Sequence, residues 1–152
     1  MNHNQRPGKP QSNSGHGAKT SYQEHPTLET ADIKFTDLKA NLFDSVAKRT
    51  AVTLADSKRE ANKSTQIRRF YDELMMWENK TSLNPEKFPE YLPFIRMLNA
   101  KVAYAEGRGH VDANFTRFMN HCLQQVTDAK TLRIFKLFFE AMLGFYKLEK
   151  KD

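Results

Sequence analysis

Between Leu132 and Leu148 stand Leu132, Phe135, Leu137, Phe138, Phe139, Met142, Leu143, Phe145, Tyr146 and Leu148, with only Arg133, Lys136, Glu140 and Lys147 as a thin polar strip. Their spacing predicts a helix from about Asp128 to Lys150, and a helix this apolar has to be covered on most of its sides. It is therefore either the central helix of a bundle or partly an interface with another chain. The chain has no uninterrupted apolar run long enough to span a bilayer, so the covering comes from protein and no membrane partner is expected.

The rest of the chain from Phe35 onward repeats the helical period, and no stretch alternates as a half-buried strand does. A first helix is predicted over about Asp37 to Ala55, with Leu38, Leu42, Val46 and Leu54 on one side and Asp37 as a candidate cap. A second opens at Ser64 or Thr65 and runs to about Trp77, presenting Ile67, Phe70, Tyr71 and Leu74. Asn84, Pro85, Pro89 and Pro93 then interrupt the pattern and leave room for a loop with one short turn between Glu78 and Pro93. The third helix covers about Leu92 to Glu106, stopped by Gly107 and Gly109. Val111, Phe115, Phe118, Cys122 and Val126 mark the fourth, capped by Asp112. The fold class expected is all-α, a compact bundle of about five helices.

Residues 1–34 read differently. Up to residue 30 only Met1, Ala18, Tyr22 and Leu28 are apolar, beside three prolines and three glycines. Such a segment cannot bury enough surface to offset the entropy of ordering. All eleven Phe and the single Trp lie beyond residue 34. The expected organisation is a disordered N-terminal arm, 1–34, and a helical bundle domain, 35–152. The N-terminus lacks the apolar stretch of a signal peptide and Cys122 is the only cysteine, so a cytoplasmic address with a reduced thiol is expected.

The residues offer no chemistry. There is no GxSxG, no HExxH, no phosphate-cradling glycine loop and no acidic cluster with Mg²⁺ spacing, so neither catalytic residues nor a cofactor are expected. His3, His16 and His25 lack neighbours at ligand spacing, as do His110 and His121, and no metal site is expected. Cys122 falls on the apolar stripe of its helix, where a thiol is structural. His121 is expected in solvent or in a local hydrogen bond.

Charge is more informative. The chain carries a net +6, of which the first 34 residues supply only one unit. Lys63, Arg68 and Arg69 stand at the start of the second helix, where cations oppose the helix dipole and an incoming phosphate would reverse the penalty. Arg68 with Asp72 and Arg69 with Glu73 are also i,i+4 pairs, which would leave that face merely solvated. Along the third helix, Phe94, Leu98, Lys101, Tyr104 or Ala105, and Arg108 follow one line. Lys101 and Arg108 are about 10 Å apart along the axis with a ring between them, a strip suited to a sugar-phosphate chain. A snorkelling Lys101 and a dipole-complementing Arg108 would give the same pattern without a ligand.

Two segments carry a resemblance. Thr65-Gln66-Ile67-Arg68-Arg69-Phe70-Tyr71 and Ala100-Lys101-Val102-Ala103-Tyr104-Ala105-Glu106-Gly107-Arg108 resemble the small subunit of the type III-A CRISPR effector, the Csm complex, over roughly Leu42 to Tyr146. The resemblance implies a small all-α bundle without catalytic activity, stacked beside the backbone and large subunits and next to copies of itself. Such a subunit lines the channel that holds guide RNA and target RNA. It implies RNA contacts at Arg68, Arg69, Lys101 and Arg108. Lys63 and Arg96 are added on charge and placement alone. In such a surface, positive side chains from separate helices would form one groove wall. The other function class open to the sequence is a helical protein–protein adaptor without a nucleic-acid role, docking through the last helix and Met75-Met76-Trp77.

Overall fold

A computed structural model describes Met1, Gly8 and residues 24–152, and among these the chain is helical without a strand. The helices are α1 (Ala47–Ala55), α2 (Ser64–Leu83), α3 (Phe88–Arg96), α4 (Leu98–Gly107), α5 (Ala113–Gln124) and α6 (Ala129–Glu149). The all-α bundle expected from the periodicity is the fold. The third predicted helix is present as α3 and α4, which meet at Met97 with its backbone still right-handed helical (φ −62°, ψ −19°).

The apolar last segment is the central helix. Leu132, Ile134, Phe135, Phe138, Phe139, Met142 and Tyr146 of α6 are all buried, with Phe115, Phe118, Met119, Cys122 and Leu123 of α5 against them. Ring packing does much of the joining. Phe118 meets Phe139 at 5.3 Å and 83° and Phe135 at 6.1 Å and 65°, the edge-to-face arrangement that aromatic quadrupoles favour.

Three elements differ from the sequence reading. The first helix does not begin at Asp37, which pairs with Lys39 at 2.9 Å. It begins with a π-helical turn, Leu42–Val46, in which Val46 N–H donates to Asn41 C=O at 3.1 Å. The span predicted as a loop is mostly helical, because α2 continues to Leu83, a 3₁₀ turn covers Pro85–Lys87 and α3 starts at Phe88. Pro85 and Pro89 occupy first turns, where the missing N–H would have had no partner anyway. Only Pro93 lies inside a helix, where it deprives the Pro89 carbonyl of its donor just before the α3–α4 junction.

The third difference is at the N-terminal segment, where the expectation of a disordered arm ending at residue 34 is corrected for its last part. Leu28 and Ile33 are buried in the core beside Phe35, whose ring stacks on Phe135 at 5.7 Å. One face of α5 grips the main chain here. Asn114 Oδ1 accepts from Leu28 N–H at 2.9 Å, and Arg117 Nε donates to Leu28 C=O at 2.9 Å. His121 Nε2 lies 2.8 Å from Ile33 C=O, and Gln125 accepts from Phe35 N–H and donates to Ile33 C=O. On the other side Arg49 of α1 pairs with Asp32 at 2.5 Å, which holds that carboxyl below its usual range. Ordering entropy is offset by three buried apolar side chains and these bonds, which composition alone does not count. His121 thus makes the local contact expected, with Gln125 Nε2 at 3.1 Å, and a long-range one at the Ile33 carbonyl besides. The remainder of the expected arm, residues 2–7 and 9–23, lies outside the described residues.

Helix starts are fixed by side chains. Asp112 accepts from Phe115 N–H at 2.9 Å, as the sequence suggested, and Asp128 forms a reciprocal capping box with Thr131. The Thr131 N–H holds the Asp128 carboxyl below its ordinary range. A carboxyl whose folded value is depressed contributes stability above the unfolded value, near pH 4, and loses it as pH falls through the folded value. Asp128→Ala is therefore expected to cost about 1 kcal/mol at neutral pH. Asp128→Asn, which still caps, should keep most of that stability while flattening the acid limb of a urea-midpoint titration.

Asn62 sets where α2 begins. It is fully buried and left-handed (φ 55°), a conformation asparagine tolerates better than most residues. Its Nδ2 donates to Leu54 C=O at 3.0 Å, its Oδ1 accepts from Asp112 N–H at 2.9 Å and its own N–H donates to His110 C=O at 3.0 Å. The Tyr146 hydroxyl donates to the Asn62 carbonyl. One residue thus ties the end of α1, the α4–α5 turn and α6 to the start of α2.

Candidate nucleic-acid interface

The basic residues are positioned by how α2 runs against α3 and α4. Asn62 bonds His110, Glu73 Oε1 meets Lys101 Nζ at 2.5 Å, and Trp77 packs on Tyr91 at 5.6 Å and Phe94 at 5.7 Å. Rising numbers on α2 pair with falling numbers on α3–α4, so the two are antiparallel. Arg69, one turn before Glu73, is exposed on α2 and lines the groove toward α6.

On α4 the sequence line divides into two stripes. Leu98, Val102 and Ala105 are buried. Lys101, Tyr104 and Arg108 remain exposed, together with Phe94 and Met97. Arg108 donates to the Tyr104 hydroxyl at 3.1 Å and lies over its ring at 5.8 Å, so cation and aromatic form one unit. Neither Arg69 nor Arg108 has a carboxylate within ion-pair distance among the described residues. These two cations keep their charge available to a ligand.

The other sequence candidates are placed less freely. Arg68 pairs with Asp72 at 2.8 Å and lies over the Tyr71 ring at 5.2 Å, and the carboxylate raises the guanidinium's already high pKa. Successive helical residues turn by about 100°, which puts Arg68 and Glu73 about 140° apart around α2. Arg68 therefore flanks α6, Lys101 is tied to the flank facing α4, and Arg69 stands on the crest between them. Lys63 precedes α2 and pairs with Glu60 at 3.0 Å. The α2 N-terminus itself is taken, because Asp152 accepts from Ser64 N–H at 2.5 Å and from its hydroxyl at 2.7 Å. Burial would raise the Asp152 carboxyl, but the Ser64 donors prevail and hold it below its ordinary range. Arg96 does not join the others, since its Nη2 donates to Val126 C=O at 3.1 Å, tying α3 to the α5–α6 turn.

A shallow groove of about 800 Å³ runs between α2 and α6, lined by Thr65, Arg68, Arg69, Glu140, Gly144 and Lys147 among others. Lys147 is the cation that sequence reasoning left as part of a polar strip. The signal was its place one turn beyond Leu143 and Gly144, on the edge of the central helix that meets Tyr71. Lys80, 5.1 Å above the Trp77 ring, was also missed, because the predicted second helix stopped at Trp77.

Cys122 is fully buried and burial pushes its thiol well above the usual range, which leaves it inert as a nucleophile. Among the described residues no group of three or more His, Cys, Asp or Glu is placed to hold a metal ion, and no helix is long and apolar enough to cross a membrane.

Comparison with known proteins gives one family. The family model described as Csm2_III-A, Csm2 Type III-A, matches residues 37–152. No curated protein and no solved structure matches the chain.

Proposed function

Since the chain belongs to the Csm2 Type III-A family and is a small subunit of the type III-A CRISPR effector complex, we propose that it binds the sugar-phosphate backbone of guide or target RNA without catalysing a reaction. The observation that carries this reading is that Arg69 of α2 and Arg108 of α4 are both exposed with no carboxylate within ion-pair distance among the described residues. Phosphate contacts position an RNA without reading its sequence, a task a row of exposed cations performs. Lys147 adds a cation across the groove from Arg69, whereas Arg68 and Lys63 contribute less because Asp72 and Glu60 already pair with them. Copies of the subunit placed side by side along the complex would join such surfaces into a channel wall, and avidity would compensate for a modest intrinsic affinity.

The test is the salt dependence of binding. Each phosphate contact on a single strand contributes about −0.7 to the slope of log K against log salt, so Arg69→Ala with Arg108→Ala should flatten it by about 1.4. Arg96→Ala should leave the slope unchanged, because that side chain is spent on Val126. An unaltered slope in the double variant, with its helical circular dichroism intact, would remove the proposal. Lys101→Ala is expected to change the slope less than either arginine, since Glu73 already neutralises much of the charge.

A further inference from the structure

The rings beside the cations suggest a second kind of contact. Phe94 is 57% exposed although it lies nearly parallel to Trp77, at 15° and 5.7 Å. Trp77 rests in turn on Tyr91 at 5.6 Å with Lys80 above it, and its Nε1 has no hydrogen-bond partner among the described residues. The indole is thus held by packing alone. Stacking occupies one face of the Phe94 ring and leaves the other to solvent.

The exposed row continues with Met97 and Tyr104, 55% and 66% exposed, on the face of α3–α4 that carries Lys101. Scattered apolar residues on a surface need no explanation, but a row of three on one face does. A protein partner would suit the apolar part. The charge around it favours a polyanion, because Lys80 stands over the Trp77 ring, Arg108 over the Tyr104 ring and Lys101 between them on α4, against Glu73 and Glu90. Aromatic faces interleaved with cations fit a single strand whose bases stack while its phosphates meet the positive heads.

We propose that the open face of Phe94 is a stacking platform for an unpaired RNA base, backed by Trp77. The inference rests on the RNA-binding reading above and adds base contact to it. Stacking tolerates any base, so the platform would not read sequence.

Trp77, the only tryptophan, reports on the site directly. The full chain would be titrated with an oligouridine and with an oligomer of the same length in which abasic spacers replace the bases, so that phosphate number is constant. The base-bearing oligomer should bind about five- to a hundredfold tighter and alone change Trp77 emission. Phe94→Ala should abolish the difference and Phe94→Tyr should restore it, while the salt slope stays that of the unsubstituted chain. Equal affinities for both oligomers, unmoved by Phe94→Ala, would overturn the inference and leave phosphate binding standing. Loss of self-association in Phe94→Ala by sedimentation, with RNA affinities unchanged, would overturn it in favour of a protein contact. Failure of both oligomers to bind would remove the RNA-binding reading and this inference together.

Discussion

Asn62→Ala is expected to lower the unfolding free energy by about 4 kcal/mol, a large share of the roughly 5–15 kcal/mol a domain of this size has. The substitution strands two buried main-chain groups, the Leu54 carbonyl and the Asp112 N–H. Each unsatisfied group costs about 1–3 kcal/mol. It also forces alanine into the left-handed region, which adds about 1 kcal/mol. Asn62→Gly separates the two causes, since glycine removes the backbone penalty and keeps the stranded groups. Urea denaturation should place Asn62→Gly between the unsubstituted protein and Asn62→Ala. A glycine variant as stable as the original would show that the side-chain bonds contribute nothing. Because Asn62 ties α2 to the α4–α5 turn, RNA affinity in these variants should fall in the same order, before global unfolding is reached.

That residue also shows where sequence reasoning stops. Period and composition expose α2, α5 and α6, because each buries a stripe that recurs every three to four residues, such as Ile67, Phe70, Tyr71 and Leu74. Asn62 has no such signature. An asparagine between helices reads as an ordinary turn residue, and its partners are distant in sequence. The segment around Leu28 and Ile33 was hidden for a related reason, since its apolar residues are few and it is held largely by its main chain. The trace it leaves is on the partner, where Asn114, Arg117, His121 and Gln125 follow one helical face with side chains that can each bond a peptide group. A polar stripe of that kind beside an apolar one predicts a docked extended chain.

The basic surface was legible in part. Arg69 and Arg108 could be named from the sequence, but their neutralisation state could not, because it depends on which carboxylates the bundle brings near. The i,i+4 rule offered Glu73 to Arg69, whereas the antiparallel register gives Glu73 to Lys101. Prolines misled for a local reason. Pro85 and Pro89 signal a break when counted, and a helix start when their positions within the first turns are known.

Phe118→Ala should be the most damaging core substitution, at about 3–5 kcal/mol. The side chain is fully buried and its ring meets Phe115, Phe135, Phe138 and Phe139 at 5.3–6.2 Å. Removing it opens a cavity at the point where α5 joins the central helix, and the four rings around it are too constrained by one another to collapse into the space. Phe118→Leu keeps much of the volume and is expected to cost about 1–2 kcal/mol, with lost ring geometry as the main cause. The damage should reach the basic surface as well, because Phe115 of α5 carries Phe70 of α2 at 5.4 Å, and α2 carries Arg69. Denaturant midpoints for both variants, compared with Phe94→Ala, separate core from surface. The Phe94 variant should unfold close to the original midpoint, since its ring is already more than half in water. A Phe118→Ala protein that keeps its midpoint would mean that the aromatic cluster is not what holds α5 to α6.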